Sequence, residues 1–192
     1  MDLGPVAAHV PRTIDDEPND AGVLVAVLER DGRPHLLFTE RADHLSEHPG
    51  QMSFPGGGAE PVDGDIEATA LREADEEIGL RPDEVDIVGR LDDIRTITEY
   101  AVTPVVARIP DRTYVPSDDE VASVVALALD DIVDPDNYEY ERREHPHYGE
   151  ILVHYFHVGD HTVWGATGRI VVQFLELATS WRAPERSDSD VA

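Results

Sequence analysis

The sequence predicts a mixed α/β (α+β) fold, in which a mixed β-sheet carries helices packed on its faces. Short apolar runs rich in β-branched residues recur along the chain and are bounded by polar turns, as expected of buried strands. Two segments, at 65–78 and 168–181, have the apolar spacing of amphipathic helices. The two kinds of segment interleave over 192 residues, which is long enough for one domain with a sizeable core.

The first strand is predicted at 22–29, where the run GVLVAVLE is apolar and bounded by polar residues. Asp31 and Gly32 follow, and an Asp-Gly pair supplies the positive φ angles that a two-residue hairpin turn requires. The partner strand is predicted at 34–41. Later strands are predicted at 85–91, 101–109, 121–129, 151–158 and 162–167, of which the last two pair around a turn.

The helix in the middle of the chain has clear start and stop signals. Residues 54–65 are rich in glycine and proline and are predicted to form a loop. Asp65 then caps the helix, because its carboxylate can accept a hydrogen bond from a free N–H group of the first turn. Gly79 ends it, since glycine adopts the left-handed conformation at a helix end without strain. A second amphipathic helix, at 168–181, closes the domain.

The chain is strongly acidic. It has 41 acidic and 15 basic residues, a formal net charge of −26, and every basic residue is arginine. This charge disfavours nucleic acid and anionic membranes as partners. The hydrophobic content of 41% argues against disorder. The acidity is therefore typical of a surface suited to a salt-rich cytoplasm, where ions screen the repulsion between carboxylates.

We predict one domain at 21–182, between an N-terminal extension at 1–20 and a mobile polar tail at 183–192. The absence of cysteine excludes disulfides and thiolate metal sites. The N-terminal residues lack the features of a signal peptide, and no apolar run approaches the ~20 residues of a membrane span. We therefore expect a cytoplasmic protein without a membrane partner, and a homodimer is left open.

Glu73, Glu76 and Glu77 lie on one side of the predicted helix, close to its C-terminal end. The helix dipole disfavours negative charge at this end. Two interpretations remain from the residues alone. The acidic composition favours a solvated helix face, whereas the crowding of carboxylates favours a bound cation. Mg²⁺ takes oxygen ligands and shares them with substrate phosphates, and the glycines at 56–58 allow a backbone to approach such a ligand closely.

The segment around this helix resembles the Nudix box, G-x5-E-x7-R-E-U-x-E-E-x-G-U with U aliphatic. Its second half matches at Arg72, Glu73, Glu76, Glu77, Gly79 and Leu80, with Ala74 at the first aliphatic position. The first half departs from the motif. Counting from Gly57 places Asp63 at the acid, one residue too far from Arg72, and counting from Gly58 places Gly64 there. The first acid, which in the family mainly supports the helix, is thus either Asp63 or missing.

Residues 36–57 resemble an additional signature of the coenzyme A pyrophosphatase subgroup of this family. The matching residues are Arg41, Leu45, His48, Gly50, Phe54, Pro55, Gly56, Gly57, Glu60, Pro61 and Asp63. The subgroup shares the one-residue insertion in the box. Segments at 100–106, 119–125 and 163–171 are also similar to the subgroup, so the resemblance covers about residues 20–180.

The resemblance implies a Nudix-type α/β/α sandwich and hydrolysis of a pyrophosphate with Mg²⁺ or Mn²⁺ as cofactor. The implied metal ligands are Glu73, Glu76, Glu77 and the backbone carbonyl of Gly57, with Arg72 bracing the carboxylates. Members of the family place the general base either on the box helix, where Glu73 and Glu76 are candidates, or on a distant loop, where Glu120 is the candidate.

The implied substrate is a nucleotide, coenzyme A or one of its derivatives. Arg41 and His48 are candidates for binding its phosphates, although His48 is equally suited to fixing its loop. Tyr100 is a candidate for the pocket wall, although a single tyrosine in a strand is more often part of the core. Two alternatives remain: the same chemistry on ADP-ribose, a dinucleotide or a nucleoside triphosphate, and a Nudix-fold binding module without catalysis.

Overall fold

A computed structural model describes residues 1–42, 44, 50–145 and 149–184. Within this part of the chain there are four α-helices, α1 (Gly4–Ala7), α2 (Ile66–Ile78), α3 (Leu129–Ile132) and α4 (Gly165–Ala178), and two short 3-10 helices, at Pro82–Glu84 and Pro135–Asn137. The eleven strands found there are β1 (Asn19–Arg30), β2 (Arg33–Arg41), β3 (Met52–Ser53), β4 (Gly56–Gly58), β5 (Asp86–Arg90), β6 (Ile94–Arg95), β7 (Tyr100–Arg108), β8 (Val121–Ala128), β9 (Tyr138–His145), β10 (Gly149–Val158) and β11 (His161–Val163).

The main sheet is mixed, as predicted. Its central order is β3-β2-β1-β7-β5, with β4 also paired to β1, β6 to β7 and β8 to β2. The β1–β7 pair is parallel, and the other pairs of this sheet are antiparallel. The predicted mixed sheet with packed helices is therefore confirmed.

Helices cover both faces of the main sheet. Alternate residues of a strand point to opposite sides, so one strand can pack against helices on both faces. Leu24 and Leu28 of β1 pack with Ala70 and Ala74 of α2 in one core cluster. Val25 of β1 belongs to the other cluster, together with the buried face of α4. The long apolar run of β1 is thus buried on both sides, which places α2 and α4 on opposite faces.

The hairpin turn between β1 and β2 forms as predicted. Arg30 pairs with Arg33 across the turn, and Asp31 and Gly32 both have positive φ angles, of 52° and 71°. The paired strands therefore meet through the two-residue turn that Asp-Gly favours.

Residues 56–58 correct one prediction. They were expected in a loop, but they form β4 and pair with Ala21, Gly22 and Val23 of β1. Glycine has low strand propensity, and this pairing depends on a distant strand, so the local sequence does not indicate it. The glycine-rich segment that precedes α2 in the chain is therefore held in the main sheet.

A second sheet was also not predicted. Its order is β11-β10-β9, and β9, with the sequence YEYERREH, lacks the apolar alternation on which strand prediction rests. The turn between β10 and β11 is as predicted, with Val158 opposite His161. The predicted strand at 162–167 is wrong in its second half, because α4 already begins at Gly165.

The N-terminal residues pack on the domain. Leu3 and Val6 are buried in the larger core cluster, and the backbone N–H of Asp2 donates to Ala178 O at 2.9 Å. The predicted domain limits remain a prediction, and the tail from residue 185 lies outside the described residues. No helix in the described part of the chain is long and apolar enough to cross a membrane.

Candidate active site

Helix α2 carries the predicted carboxylates and is capped at both ends as expected. Asp65 Oδ1 accepts from the N–H of Ala68 at 2.8 Å. Gly79 adopts the left-handed conformation, with φ 62° and ψ 30°, and its N–H reaches carbonyls of the last turn. Ala70, Ala74 and the other small or apolar residues of the inner face are buried against the sheet. This orientation fixes which way the glutamates point.

Gly57 brings the backbone of β4 against Glu73. A Cβ atom on Gly57 would lie 2.6 Å from Glu73 Oε1, closer than real side chains approach one another. A larger residue at this position would therefore displace the Glu73 carboxylate from its place beside the strand. The structure thus brings together two of the predicted metal ligands, the Glu73 side chain and the Gly57 backbone.

Glu77 is largely buried, and its Oε2 atom is inaccessible and has no hydrogen-bond partner among the described residues. Burial, together with the charges of Glu73, Asp118 and Glu120, raises the pKa of Glu77 to about 8. The N–H of Gly56 donates to the carboxylate and opposes the shift. A buried carboxylate with a free oxygen and three acidic neighbours is the environment that a bound cation stabilises.

The donor set consists of carboxylate and carbonyl oxygens, which suits Mg²⁺ or Mn²⁺. No three His, Asp or Glu side chains in the described ranges are already arranged to hold an ion. One reason is that Arg72 Nη1 donates to Glu73 Oε1 at 2.9 Å. An ion that binds Glu73 would therefore share this carboxylate with Arg72.

Arg72 connects the helix to the segment before it. Its Nε and Nη2 donate to the two carboxylate oxygens of Asp63 at 3.0 and 3.1 Å, and Nη2 also donates to Gly58 O at 3.0 Å. Asp63 is 6% exposed and accepts from Thr69 Oγ1 at 2.9 Å. Asp63 therefore makes the helix-supporting contacts expected of the first acid of the motif, which answers the question left by its spacing.

We expect Asp63→Asn to lower the melting temperature at neutral pH, because the bidentate contact to Arg72 loses its charge. The Arg72 guanidinium holds the pKa of Asp63 well below its ordinary value of 3.8. A lowered folded-state pKa contributes stability above the unfolded pKa, and this contribution is lost as the pH falls further. The difference in melting temperature between parent and variant should therefore be full near neutral pH and shrink below about pH 4.

Thermal melts of the two proteins across this pH range measure the difference. Asp75→Asn is the matched control, since Asp75 is an exposed residue of the same helix and should change little. A difference between parent and Asp63→Asn that is independent of pH would contradict the role of the carboxylate charge.

The loop between β7 and β8 is attached to the C-terminal end of α2. Arg112 Nη2 donates to Gly79 O at 2.7 Å, and the N–H of Ser117 donates to Glu77 O at 2.8 Å. Asp118 Oδ1 accepts from the N–H groups of Glu120 and Val121 at 3.0 and 3.2 Å. These contacts bring two loop carboxylates next to Glu77.

Residues 18–148 match the model of the NUDIX domain. The chain belongs to the Nudix family. An uncharacterized Nudix hydrolase NudL from Enterobacter sp. (strain 638) is 40% identical over 157 residues, which are 79% of this chain and 78% of that protein. The chain is therefore a Nudix hydrolase, and Nudix hydrolases generally act on nucleoside diphosphate compounds with divalent metal ions.

Two solved structures share the Nudix fold. A MutT/nudix family protein from Enterococcus faecalis superposes with a TM-score of 0.55 at 14% identity, over 88% of this chain and 64% of that one. An Ap4A hydrolase from C. elegans superposes with a TM-score of 0.50 at 19% identity, over 60% and 83%. At these identities the likeness supports the fold alone.

In the Nudix domain of this chain, Glu76 differs from its two neighbours. Its side chain is 58% exposed and its carboxylate accepts from Arg72 Nη1 at 3.1 Å, whereas Glu73 is 17% exposed and Glu77 is largely buried. The three predicted carboxylates therefore divide into two that face β4 and one that faces solvent. The role of Glu76 as a metal ligand or base stays a prediction.

Two of the predicted substrate-binding residues, Arg41 and Tyr100, lie in segments that contact the candidate site. The register of β2 and β8 places Arg41 beside Val121, and the N–H that follows Arg41 in the chain donates to Glu120 O at 2.8 Å. The ring of Tyr100 lies 3.7 Å from the position of a Cβ on Gly58 and also packs against the larger core cluster. His48 lies outside the described residues.

Two residues of this Nudix site were missed in the sequence. Arg112 supplies positive charge at the C-terminal end of α2, where the helix dipole and the glutamates are negative and a cation is therefore stabilising. Asp118 fixes the backbone of Glu120 and adds a carboxylate near Glu77. The dipole argument indicated that a cation was needed, but nothing in the local sequence connects residues 112–118 with a helix that ends more than thirty positions earlier.

Proposed function

We propose that this Nudix hydrolase is a coenzyme A pyrophosphatase, which cleaves coenzyme A or its acyl and oxidised derivatives to adenosine 3′,5′-bisphosphate and 4′-phosphopantetheine. The observation that carries the proposal is the largely buried Glu77 carboxylate with its acidic neighbours Glu73, Asp118 and Glu120. Arg41 of the subgroup signature directly precedes the residue whose N–H donates to Glu120 O. The signature residues at 36–57 and the similar segments downstream favour coenzyme A over other nucleotides.

In the proposed mechanism Glu73, Glu77 and the carbonyl of Gly57 hold Mg²⁺ or Mn²⁺, with Glu76 as a further candidate ligand. The bound ion supplies positive charge that stabilises the charge developing on the pyrophosphate oxygens. Arg41 binds a phosphate of the substrate, since guanidinium groups donate two parallel hydrogen bonds to phosphate oxygens. Tyr100 borders the nucleotide.

Glu120 is our candidate for the general base. It is exposed, so water reaches it, and Asp118 fixes its backbone. Its carboxylate accepts a proton from the attacking water, the water oxygen bonds to one phosphorus, and the bond from that phosphorus to the bridging oxygen breaks. Glu73 and Glu76 remain alternative bases on the helix.

A substrate panel tests the proposal. Coenzyme A, ADP-ribose, a reduced dinucleotide and a nucleoside triphosphate are compared at the same metal and salt concentrations. Coenzyme A is expected to give the highest kcat/KM. A higher value for ADP-ribose or another member would move the activity to that substrate, and nucleotide binding without turnover of any member would indicate a binding module.

We expect coenzyme A to be cleaved with a higher kcat/KM than 3′-dephospho-coenzyme A, because arginine side chains near the site can bind the additional phosphate. Steady-state kinetics on the two substrates, which differ in this phosphate alone, measure the preference. Equal kcat/KM values would remove recognition of the 3′-phosphate from the account and leave the pyrophosphatase activity in place.

A further inference from the structure

A cleft of about 1120 Å³ lies between the main sheet, the second sheet and the start of α4. Half of its described lining residues fall outside the segment that matches the NUDIX domain: Arg12, Ile14, residues 151–154, residues 164–167 and Arg169. Binding pockets for small molecules typically measure roughly 300–1,000 Å³, so the cleft can take a nucleotide. The segments that flank the shared domain build much of this cleft.

Arginine is concentrated in the cleft. Five of the fifteen arginines of the chain line it, namely Arg12, Arg41, Arg95, Arg143 and Arg169. The acidic residues among its described lining are Asp92, Asp93 and Glu144, although acids outnumber arginines 41 to 15 in the whole chain. The cleft is therefore far less negative than the rest of the molecule. The remaining surface repels anions, whereas the cleft can accept them.

The arginines near α4 are held by contacts that a phosphate can join or replace. Arg95 pairs with Asp16 and Glu17, and Arg169 Nη1 donates to the backbone oxygen of Arg95 at 3.1 Å. The Asp16 side chain is 74% exposed, and an ion pair open to solvent contributes little net free energy, so a phosphate can replace this partner. Glu17 is 12% exposed and stays paired with Arg95. The Arg169 guanidinium is thus a neighbour of the Arg95 backbone, both arginines line the cleft, and a phosphate offers three acceptor oxygens to such a pair.

The remaining lining suits the organic part of a ligand. Ile14, Ile97, Ile151 and Val153 supply aliphatic surface, and Trp164 supplies an aromatic ring. Ile97 is 79% exposed, and covering such a side chain with an apolar ligand group is favourable. The cleft therefore combines apolar surface with arginine side chains, as a nucleotide requires.

Two residues that line the cleft belong to segments that contact the candidate active site. Arg41 lines the cleft, and the N–H of the next residue in the chain donates a hydrogen bond to Glu120 O. Thr96 also lines the cleft, and its Oγ1 accepts from the N–H of Tyr100 at 3.2 Å. The Tyr100 ring in turn lies against Gly58. The cleft therefore adjoins the carboxylate site, as binding of one extended molecule across both would require.

We propose that the cleft binds a phosphate monoester of the substrate that is separate from the pyrophosphate being cleaved, through Arg95 and Arg169. The ligand class is a nucleotide with a phosphate on its ribose in addition to its 5′-phosphates. This proposal rests on the pyrophosphohydrolase function proposed above, and it assigns the recognition of the substrate to residues outside the shared domain.

The test measures binding without turnover. Adenosine 3′,5′-bisphosphate, adenosine 5′-monophosphate and inorganic phosphate are titrated into the full chain by calorimetry, without divalent metal and at one KCl concentration. We expect the parent to bind the bisphosphate at least ~10-fold more tightly than the monophosphate. Arg169→Gln and Arg95→Gln should each reduce this ratio several-fold. Arg108→Gln is the matched control, since Arg108 is exposed on β7 and does not line the cleft.

Several results would overturn the proposal: equal affinities for the two nucleotides in the parent, an unchanged ratio in both cleft variants, the same loss in Arg108→Gln, or binding of inorganic phosphate as tight as that of the bisphosphate. Thermal melts identify a variant that fails to fold, and Arg169 is exposed, so its replacement should leave the fold intact. If the parent binds the bisphosphate selectively but does not cleave coenzyme A in the substrate panel, the proposed function is refuted and the proposed phosphate binding in the cleft is supported.

Discussion

Replacing Glu77 with glutamine is expected to lower kcat at least ~100-fold while the protein stays folded. Glu77 carries a buried oxygen without a partner among the described residues and has acidic neighbours on both α2 and the loop between β7 and β8. Removing its charge removes the strongest reason for a cation to bind there. Glutamine keeps the size of the side chain, and its carbonyl oxygen can still accept the hydrogen bond from Gly56. The fold therefore tolerates the change better than the metal site does.

Turnover of the best substrate is measured at increasing Mg²⁺ until it saturates. Asp75→Asn is the control, because Asp75 lies on the same helix and is exposed, and its kcat should equal that of the parent. Glu76→Gln is informative as a third variant, since the half-exposed Glu76 binds Arg72. Near-parent turnover of Glu77→Gln at saturating Mg²⁺ would show that the metal assignment is wrong.

The melting temperature is expected to rise steeply between about 0.1 M and about 2 M KCl, and activity with it, because salt shortens the Debye length from about 10 Å to about 3 Å at 1 M. With 41 acidic residues against 15 arginines, carboxylates repel one another more strongly in the folded chain than in the unfolded chain. Net stabilities of only ~5–15 kcal/mol leave little margin against this repulsion. We propose on this basis that the protein works in a salt-rich cytoplasm.

Millimolar Mg²⁺ should act separately, because an ion bound at Glu73 and Glu77 stabilises the folded state even at low KCl. In Glu77→Gln the increment from Mg²⁺ should shrink while the response to KCl remains. Thermal melts of both proteins, with KCl and Mg²⁺ varied independently, separate the two effects. A melting temperature indifferent to KCl would end the salt-adapted interpretation, and an unchanged Mg²⁺ increment in the variant would place the metal elsewhere.

The elements that the sequence predicts correctly are those with local signals. Asp31-Gly32 specifies a hairpin turn, and Asp65 and Gly79 specify the ends of α2, because each of these residues acts on backbone within a few positions of itself. Strand β4 has glycine at all three positions, and it forms only because β1 offers its edge. Pairing of this kind depends on the fold as a whole, so residues 56–58 were predicted as a loop.

The same distinction applies to the site. The motif at 72–80 predicts the carboxylates of α2, and their spacing alone places them on one helix. Their division into buried Glu77 and half-exposed Glu76 depends on how the helix is turned against the sheet, which neighbouring residues do not determine. Arg112 and Asp118 lie close to the end of α2 although more than thirty residues separate them from it in the chain. No periodicity in the sequence indicates such a contact.

The parallel pairing of β1 with β7 has a consequence for how fast the protein folds. Asn19 lies opposite Tyr100 and Val27 opposite Arg108, so each contact closes a loop of about eighty residues, and contacts of long sequence separation slow folding. The β1–β2 hairpin can form early, but one edge of β1 stays without its partner until the second half of the chain arrives. Docking of β7 is therefore expected to be the late step, and the unpaired edge of β1 is where the nascent chain is most exposed to aggregation.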